Sequence, residues 1–563
     1  MLSTAERQTR RTAPGKTSGP HFALDAADQS SRRKIASLIF LASFAYLCFF
    51  RRYTAMEPDE GIVLQGAQRI LQGDVLYRDF FSFYTPASYY LLAIILKLFG
   101  NTYIVARTAL AFSGAMCSAI TYLLAARVCS RNIALLSAVL VTLTALPYRF
   151  LVLHNWDSTL LACLALYCAV TLIESPNWKL GFAVGSLASL TCLFEQSKGV
   201  GLCFGLGIGF LIIAWLGRWP MLLEPPIVGS MIAGFIWPIA IVLLYFATQH
   251  TLLVMLADWI WPLRNYSAAN RVWYGEQNWT DDSRKLLFST GSWFVRSVKI
   301  LGVSPCLWIP ALPLIAAGMM IYWAVQMFRQ RAAQPKCAYY VLTTAAISGL
   351  LLSVVTVRAD IIHFMYLQPL NVLVLAWLLD GRDIPGRTWG LIRPIAKKYI
   401  VAALAIMSMA MASAAASAPY KIETRRGLVT MPGKDTVIDY VQSHTTPGDA
   451  IFVYPYLPLY YYLTDTVDPT RYAYFQTGLH TSEQAHEIIA QLRSRPPRVV
   501  LFESSFAEKI PHSWPSTPQA AMASDPIGDY IARSYWVCRV LQTPRGWSFL
   551  YMVPKTGACP EDR

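Results

Sequence analysis

The 563-residue chain is 55% hydrophobic and 14% charged, with a mean hydropathy of +0.39; soluble globular chains carry about 25% charged residues, so an ordinary soluble enzyme is excluded. The net charge of +15 does not point to nucleic acid. The basic residues gather in the N-terminal tail and in short connections between apolar runs, where they orient a membrane protein.

Residues 1–34 are polar, contain Arg7, Arg10, Arg11, Arg32, Arg33 and Lys34, and have no apolar run; they read as a disordered cytoplasmic tail. The run Ile35 to Phe50 has no small-residue cleavage site after it, so it reads as a first membrane helix and not as a signal peptide. Further apolar runs fall at 87–99, 103–126, 132–149, 158–174, 178–194, 199–217, 226–249, 300–327, 338–357, 361–379 and 397–418. Most approach the ~20 residues that cross a ~30 Å hydrocarbon core. The run 87–99, with 13 residues, spans only ~20 Å as a helix. Leaving it uncrossed puts the basic connections Arg127 to Arg131, Arg218, Arg329 to Lys336 and Arg382 to Lys398 on the side of the N-terminal tail. The expectation is a helical membrane bundle over 35–420 with about 11–13 crossings, counted from the positive-inside rule.

That arrangement puts most of the suggestive polar clusters on the outer face: the first loop 51–86, His154 to Asp157, Glu195 to Gly199, the long stretch 250–298, Arg358 to His363, and everything after Tyr420. A transporter would carry its polar residues at mid-membrane. The asymmetry points to an enzyme or receptor working at the outer surface.

Residues 421–563 form a polar region of ordinary domain size. Helical patterns at Asp435 to His444 and Ser482 to Arg493 alternate with strand patterns at Ala450 to Tyr454, Arg498 to Phe502, Trp536 to Leu541 and Trp547 to Val553. The order predicts a small extracytoplasmic α/β domain. It holds no glycine-rich phosphate loop and no serine-hydrolase elbow. Eight of the eleven cysteines (Cys48, Cys117, Cys129, Cys163, Cys168, Cys192, Cys203 and Cys306) lie in or beside apolar runs and read as small buried hydrophobes. Cys538 and Cys559 either pair, if their region is extracytoplasmic, or remain two thiols.

Chemistry concentrates first at Glu57-Pro58-Asp59-Glu60-Gly61, directly after the first membrane helix. Three neighbouring carboxylates at a bilayer surface can supply a general base or ligands for a divalent cation; the bland alternative is a hydrated loop in which Asp59 caps the next helix. Cationic candidates for a phosphate are Arg78, Lys198, Arg358 and His363, each set against a plain interfacial charge. The aromatic stretch with Trp259, Trp261, Tyr266, Trp273, Tyr274, Trp279 and Trp293 reads as an interfacial belt or as a lid or groove wall.

The first loop, with Asp59-Glu60-Gly61, Ala67, Gly73-Asp74, Tyr77, Pro86 and Tyr89-Tyr90-Leu91-Leu92, resembles that of the dolichyl-phosphate-mannose protein mannosyltransferase superfamily. Asp157 in His154-Asn155-Trp156-Asp157 stands at the place of the family's second acidic residue. The resemblance extends weakly over 35–380. It implies a GT-C membrane glycosyltransferase that uses a polyprenyl-phosphate sugar donor, with an essential acidic residue in the first loop. Within that chemistry Asp59 is the candidate catalytic base, with Glu60 and Asp157 assisting, and Arg78, Lys198, Arg358 and His363 are the external candidates for the lipid phosphate; a divalent cation is an open requirement. The acceptor would be a glycan, lipid or protein, and the place the bacterial inner membrane, with the N-terminus cytoplasmic and the C-terminal domain outside. Where aminoarabinose transferases carry Glu-Lys-Pro-Pro, this chain reads Ser82-Phe83-Tyr84-Thr85-Pro86, without the lysine, which favours the lipopolysaccharide-core branch. A flippase of lipid-linked sugars and a non-catalytic envelope-assembly scaffold are the competing classes; the first needs a charged path at mid-depth, for which the apolar runs offer few residues.

Overall fold

The computed structural model describes residues 26–217, 219–265, 268–274, 291–330, 335–381, 387–544 and 546–560. Most of the N-terminal tail, Arg218, Tyr266 and Trp279 lie outside the described residues, as do parts of the basic stretches at 329–336 and 382–398. The chain is a helical membrane bundle followed by a small α/β region. Its first ten helices are α1 (Ala26–Cys48), α2 (Pro58–Leu71), α3 (Ala87–Phe99), α4 (Tyr103–Ala125), α5 (Arg131–Thr144), α6 (His154–Glu174), α7 (Trp178–Phe194), α8 (Gln196–Leu216), α9 (Pro225–Thr248) and α10 (Leu252–Asn265). Among the described residues, eight helices are long and apolar enough to cross a membrane. Helix α7 and the helix Gln368–Asp380 are apolar but shorter.

Both flanks of α3 touch the C-terminal region: Phe81 N donates to Arg471 O (2.8 Å) and Tyr103 N to Arg426 O (3.0 Å). The short helix therefore leaves and returns at one end of the bundle, in line with its length. Two runs differ from expectation. The run expected at 300–327 is a helix Trp293–Trp308, a 3-10 turn Ile309–Ile315 and a helix Ala316–Gln330; Pro310 and Pro313 lie in that turn, where their missing N–H groups cannot extend an α-helix. The run 361–379 divides into a short helix Ile361–Met365, capped by Asp360, and the helix Gln368–Asp380.

Close helix packing uses small residues, as expected where lipid and side chains are equally apolar. A Cβ on Gly201 of α8 would lie 2.4 Å from Gly349 O, and one on Gly349 2.1 Å from Gly201 O, so α8 and the helix Pro335–Val357 touch backbone to backbone.

After the last membrane helix come a hairpin, β1 (Tyr420–Thr424) with β2 (Gly427–Met431), and a four-stranded sheet in the order β3 (Ile451–Tyr454), β4 (Val499–Glu503), β6 (Ser548–Pro554), β5 (Tyr535–Gln542). Strands β3 and β4 are parallel; the remaining pairs are antiparallel. All four sheet strands and both helices read from the sequence are present; the hairpin and the shorter helices were not anticipated. Cys538 and Cys559 form a disulfide. The region docks on the bundle through the short helix Leu459–Leu463. A Cβ on Gly61 would sit 2.1 Å from Leu459 N, so only glycine admits that contact.

Candidate active site at the bundle surface

Helix α2 begins with Pro58 at its first position after the extended Glu57, a placement that suits a residue without an N–H. Asp59 is therefore inside the first turn and caps nothing; the capping alternative does not apply. Successive helical residues are rotated by about 100°, and the two acids that follow Pro58 part company. Asp59, with 39% of its side chain exposed, lies on the wall of an open cavity of about 1100 Å³ between the bundle and the C-terminal region. Glu60 is fully buried and turned away from it.

Each oxygen of Asp59 has one partner. Oδ2 accepts from Arg149 Nη2 at 2.8 Å, and Oδ1 accepts from the Tyr456 hydroxyl. Arg149 also reaches Glu57 Oε2 (3.4 Å) and donates from Nε to the Tyr366 hydroxyl (3.4 Å), while its carbonyl accepts from Trp156 Nε1 (3.1 Å). A carboxylate has about four acceptor positions, so Asp59 keeps lone pairs for an incoming hydroxyl. Burial, and next the Asp59 charge, push the Tyr456 hydroxyl well above its ordinary pKa; it stays a donor.

Elsewhere on the cavity, Asp360 gathers an arginine and a histidine. Its Oδ2 accepts from Arg358 Nε and its Oδ1 from His363 Nδ1, both at 2.7 Å. Burial alone would raise Asp360, yet the His363 and Arg358 charges hold it well below the usual carboxylate range. Arg358 continues to Asn270 Oδ1 (3.3 Å) and to the carbonyl of Ser513 (2.6 Å), which ties the bundle to the C-terminal region. His363 keeps 31% of its side chain exposed.

The remaining expected residues stand outside the cavity lining. Glu60 holds Arg107 in a two-pronged ion pair (2.9 Å to Nε, 2.6 Å to Nη2) and accepts from the Tyr103 hydroxyl (2.8 Å) and Val152 N (3.1 Å). Lys198 is buried in α8, with its ammonium on Glu195 Oε2 (2.8 Å), Ser158 Oγ (2.8 Å) and the Asn155 carbonyl (3.0 Å); Glu195 itself lines the cavity. Asp157 accepts from Ser113 Oγ at 3.2 Å within the bundle. Arg78, half exposed, pairs with its neighbour Asp79.

A divalent cation would need several carboxylate oxygens turned on one point; Glu57 and Asp59 instead share Arg149. Among the described residues, no group of three His, Cys, Asp or Glu side chains converges as a metal site, so the residues present do not fit a cation at Asp59. Sequence reasoning missed Arg149 and Tyr456. Arg149 carried a signal, a lone arginine closing an apolar run at the outer face; Tyr456, one tyrosine of several in Tyr454 to Tyr462, carried none.

The cavity changes character around its wall. Val200, Phe204, Leu263 and Leu352 form an apolar flank, and each is largely exposed on the bundle surface. Trp259 lines it too and donates to the Tyr77 hydroxyl (2.8 Å), while Trp261 stacks on Phe83 (5.4 Å). The first aromatic helix of the outer stretch thus serves as a wall.

Residues 84–245 match the model of a family described as dolichyl-phosphate-mannose-protein mannosyltransferase. The matched segment covers less than a third of the chain. It runs from the end of the first outer loop through α9, so it holds Asp157 and Lys198 but starts after Asp59. Among solved structures, the chain is similar to the archaeal oligosaccharyltransferase AglB of Archaeoglobus fulgidus in complex with an inhibitory peptide and a dolichol-phosphate, at 11% identity and TM-score 0.49, covering 94% of this chain and 75% of that one. It is also similar to ArnT from Cupriavidus metallidurans bound to undecaprenyl phosphate, at 12% identity and TM-score 0.44, covering 96% and 100%. No curated protein matches the chain significantly.

Proposed function

We propose that this membrane glycosyltransferase moves a sugar from a polyprenyl-phosphate donor to a hydroxyl acceptor in the cavity beside Asp59, on the extracytoplasmic side of a bacterial inner membrane. The carrying observation is the cavity itself: an exposed carboxylate held by Arg149 and Tyr456, the Arg358 and His363 side chains on the same cavity, and an apolar flank exposed on the bundle surface. The family match over 84–245 supports the reaction class. The lipid tail lies along Val200, Phe204 and Leu352, which sets the phosphate toward Arg358 and His363. Asp59 takes the proton of the acceptor hydroxyl as its oxygen bonds to the anomeric carbon. The bond from that carbon to phosphate breaks, its electron pair leaves with the phosphate, and His363 and Arg358 offset the growing negative charge. Glu60, Asp157 and Lys198 act by holding the helices around the site, and Arg78 lies apart.

The extracytoplasmic placement draws support from the Cys538–Cys559 disulfide, a bond suited to an oxidising compartment. An impermeant thiol reagent should label an engineered cysteine at the exposed Ala523 in intact spheroplasts; protection there would reverse the orientation. For the reaction, purified protein in lipid should transfer sugar from a polyprenyl-phosphate donor. Absence of transfer from every donor tried, while donor moves between leaflets, would favour a flippase.

A further inference from the structure

The two sides of the cavity differ in a way that identifies the acceptor. The flank at the bundle surface is mainly aliphatic, with Val200, Leu263 and Leu352 beside Phe204, whereas the side supplied by the C-terminal region presents Trp514, Trp547, Tyr456, Lys509 and Gln476. Trp514 is braced edge-on by Tyr456 (6.0 Å) and lies against Phe506 (5.9 Å); Lys509 Nζ sits 4.2 Å from the centre of the Trp547 ring.

Two buried amides of the lining, Gln476 of the C-terminal region and Asn270 of the stretch after α10, each have a donor without a partner. Gln476 and Asn270 line the cavity and are each 5% exposed, yet Gln476 Nε2 and Asn270 Nδ2 have no hydrogen-bond partner. Asn270 Oδ1 accepts from Arg358, which directs its NH₂ away from that arginine. Gln476 N donates to His480 Nδ1 at 3.0 Å, fixing the loop that carries it. An orphaned buried donor is destabilising, a cost relieved when a ligand supplies oxygen acceptors.

We propose that this wall is a saccharide subsite that binds a pyranose ring of the acceptor. The inference rests on the transferase reading above and deepens it by naming the acceptor as a glycan. A pyranose has apolar faces that suit indole and phenol rings and a rim of oxygens that suits two amide donors at the edge of an aromatic wall. An alkyl chain would leave both donors unpaired. An extended peptide would satisfy them, but peptides of that form pair with strand edges, and none of the cavity-lining residues of the C-terminal region belongs to a strand.

The test is saturation-transfer NMR on the full chain in lipid nanodiscs, without donor, using methyl glycosides of a hexose, an N-acetylhexosamine and a hexuronic acid, with a tetrapeptide amide as the alternative ligand. At least one glycoside should bind, and Gln476→Leu and Trp514→Ala should each weaken it about tenfold. Gln476→Leu keeps volume, so it decides the matter if Trp514→Ala fails to fold. With donor present, the same changes should raise the acceptor KM while leaving the donor KM unchanged. Saturation of the peptide alone, no glycoside binding, or unchanged binding in a folded Gln476→Leu protein would overturn the subsite. Glycoside binding without sugar transfer from any donor would uphold it and remove the transferase reading instead.

Discussion

Two carboxylate–arginine pairs, formed by adjacent acids of α2, serve opposite ends. Glu60 and Arg107 are sealed: both side chains are at most 1% exposed, and the carboxylate also takes hydrogen bonds from Tyr103 and Val152. Asp59 and Arg149 stand at a cavity, with 39% and 16% of their side chains exposed. The same ionic chemistry is sealed where water and ligand are excluded and open to a ligand where lone pairs face a space. A buried pair resists removal of one partner because the other is left uncompensated; a cavity-facing carboxylate remains available for proton transfer.

The comparison breaks if the two acids respond alike. Asp59→Asn should insert and fold as the wild type while turnover falls about 10²- to 10⁴-fold, the usual contribution of a positioned base; turnover at the wild-type level in reconstituted protein would remove Asp59 from the chemistry. Arg107→Met should do the reverse, lowering stability by about 3–5 kcal/mol. It would be read as a lower melting temperature and yield, with turnover per folded molecule close to wild type. A folded, stable Arg107→Met protein with lost turnover would place Glu60 in catalysis after all.

Smaller changes sharpen the picture. Tyr456→Phe deletes the hydrogen bond from the C-terminal region to Asp59 and should lower kcat about tenfold, the effect of one hydrogen bond to a charged group, with little change in donor KM. A change in KM alone would show that the tyrosine shapes the cavity without positioning the acid. Arg78→Ala should remain within about twofold of wild type in rate, since an exposed pair with a neighbouring residue is weak. A large loss of donor affinity would return Arg78 to the phosphate site.

Much of the architecture was legible in the chain. Apolar runs near the length of a bilayer core follow from the cost of hydrocarbon-exposed polar groups. The short run 87–99 announced by its length that it would not cross. The alternating pattern after Tyr420 gave the strands β3 to β6 because half-buried sheets need a two-residue period. Two helices begin ahead of their apolar runs: His154 to Asp157 opens α6 and Gln196 to Lys198 opens α8. Hydropathy marks where the apolar stretch ends, and a helix extends past it when its first turn finds partners, as Lys198 does on Glu195 and Ser158.

By itself, then, the sequence determined a membrane bundle with a polar α/β appendage, an acidic first loop and a concentration of chemistry at one face, because burial, period and charge act over short stretches of chain. Only the tertiary structure decided that Asp59 faces the cavity and Glu60 does not, that Arg149 and Tyr456 hold Asp59, and that Lys198 is sealed. Those outcomes depend on which surfaces surround α2 and α8, and the partners come from afar: Tyr456 stands 397 positions from Asp59 and Arg149 stands 90 from it. No local pattern encodes such a meeting; it is set by the docking of the Leu459–Leu463 helix against Gly61, where a single Cβ would have kept the two regions apart.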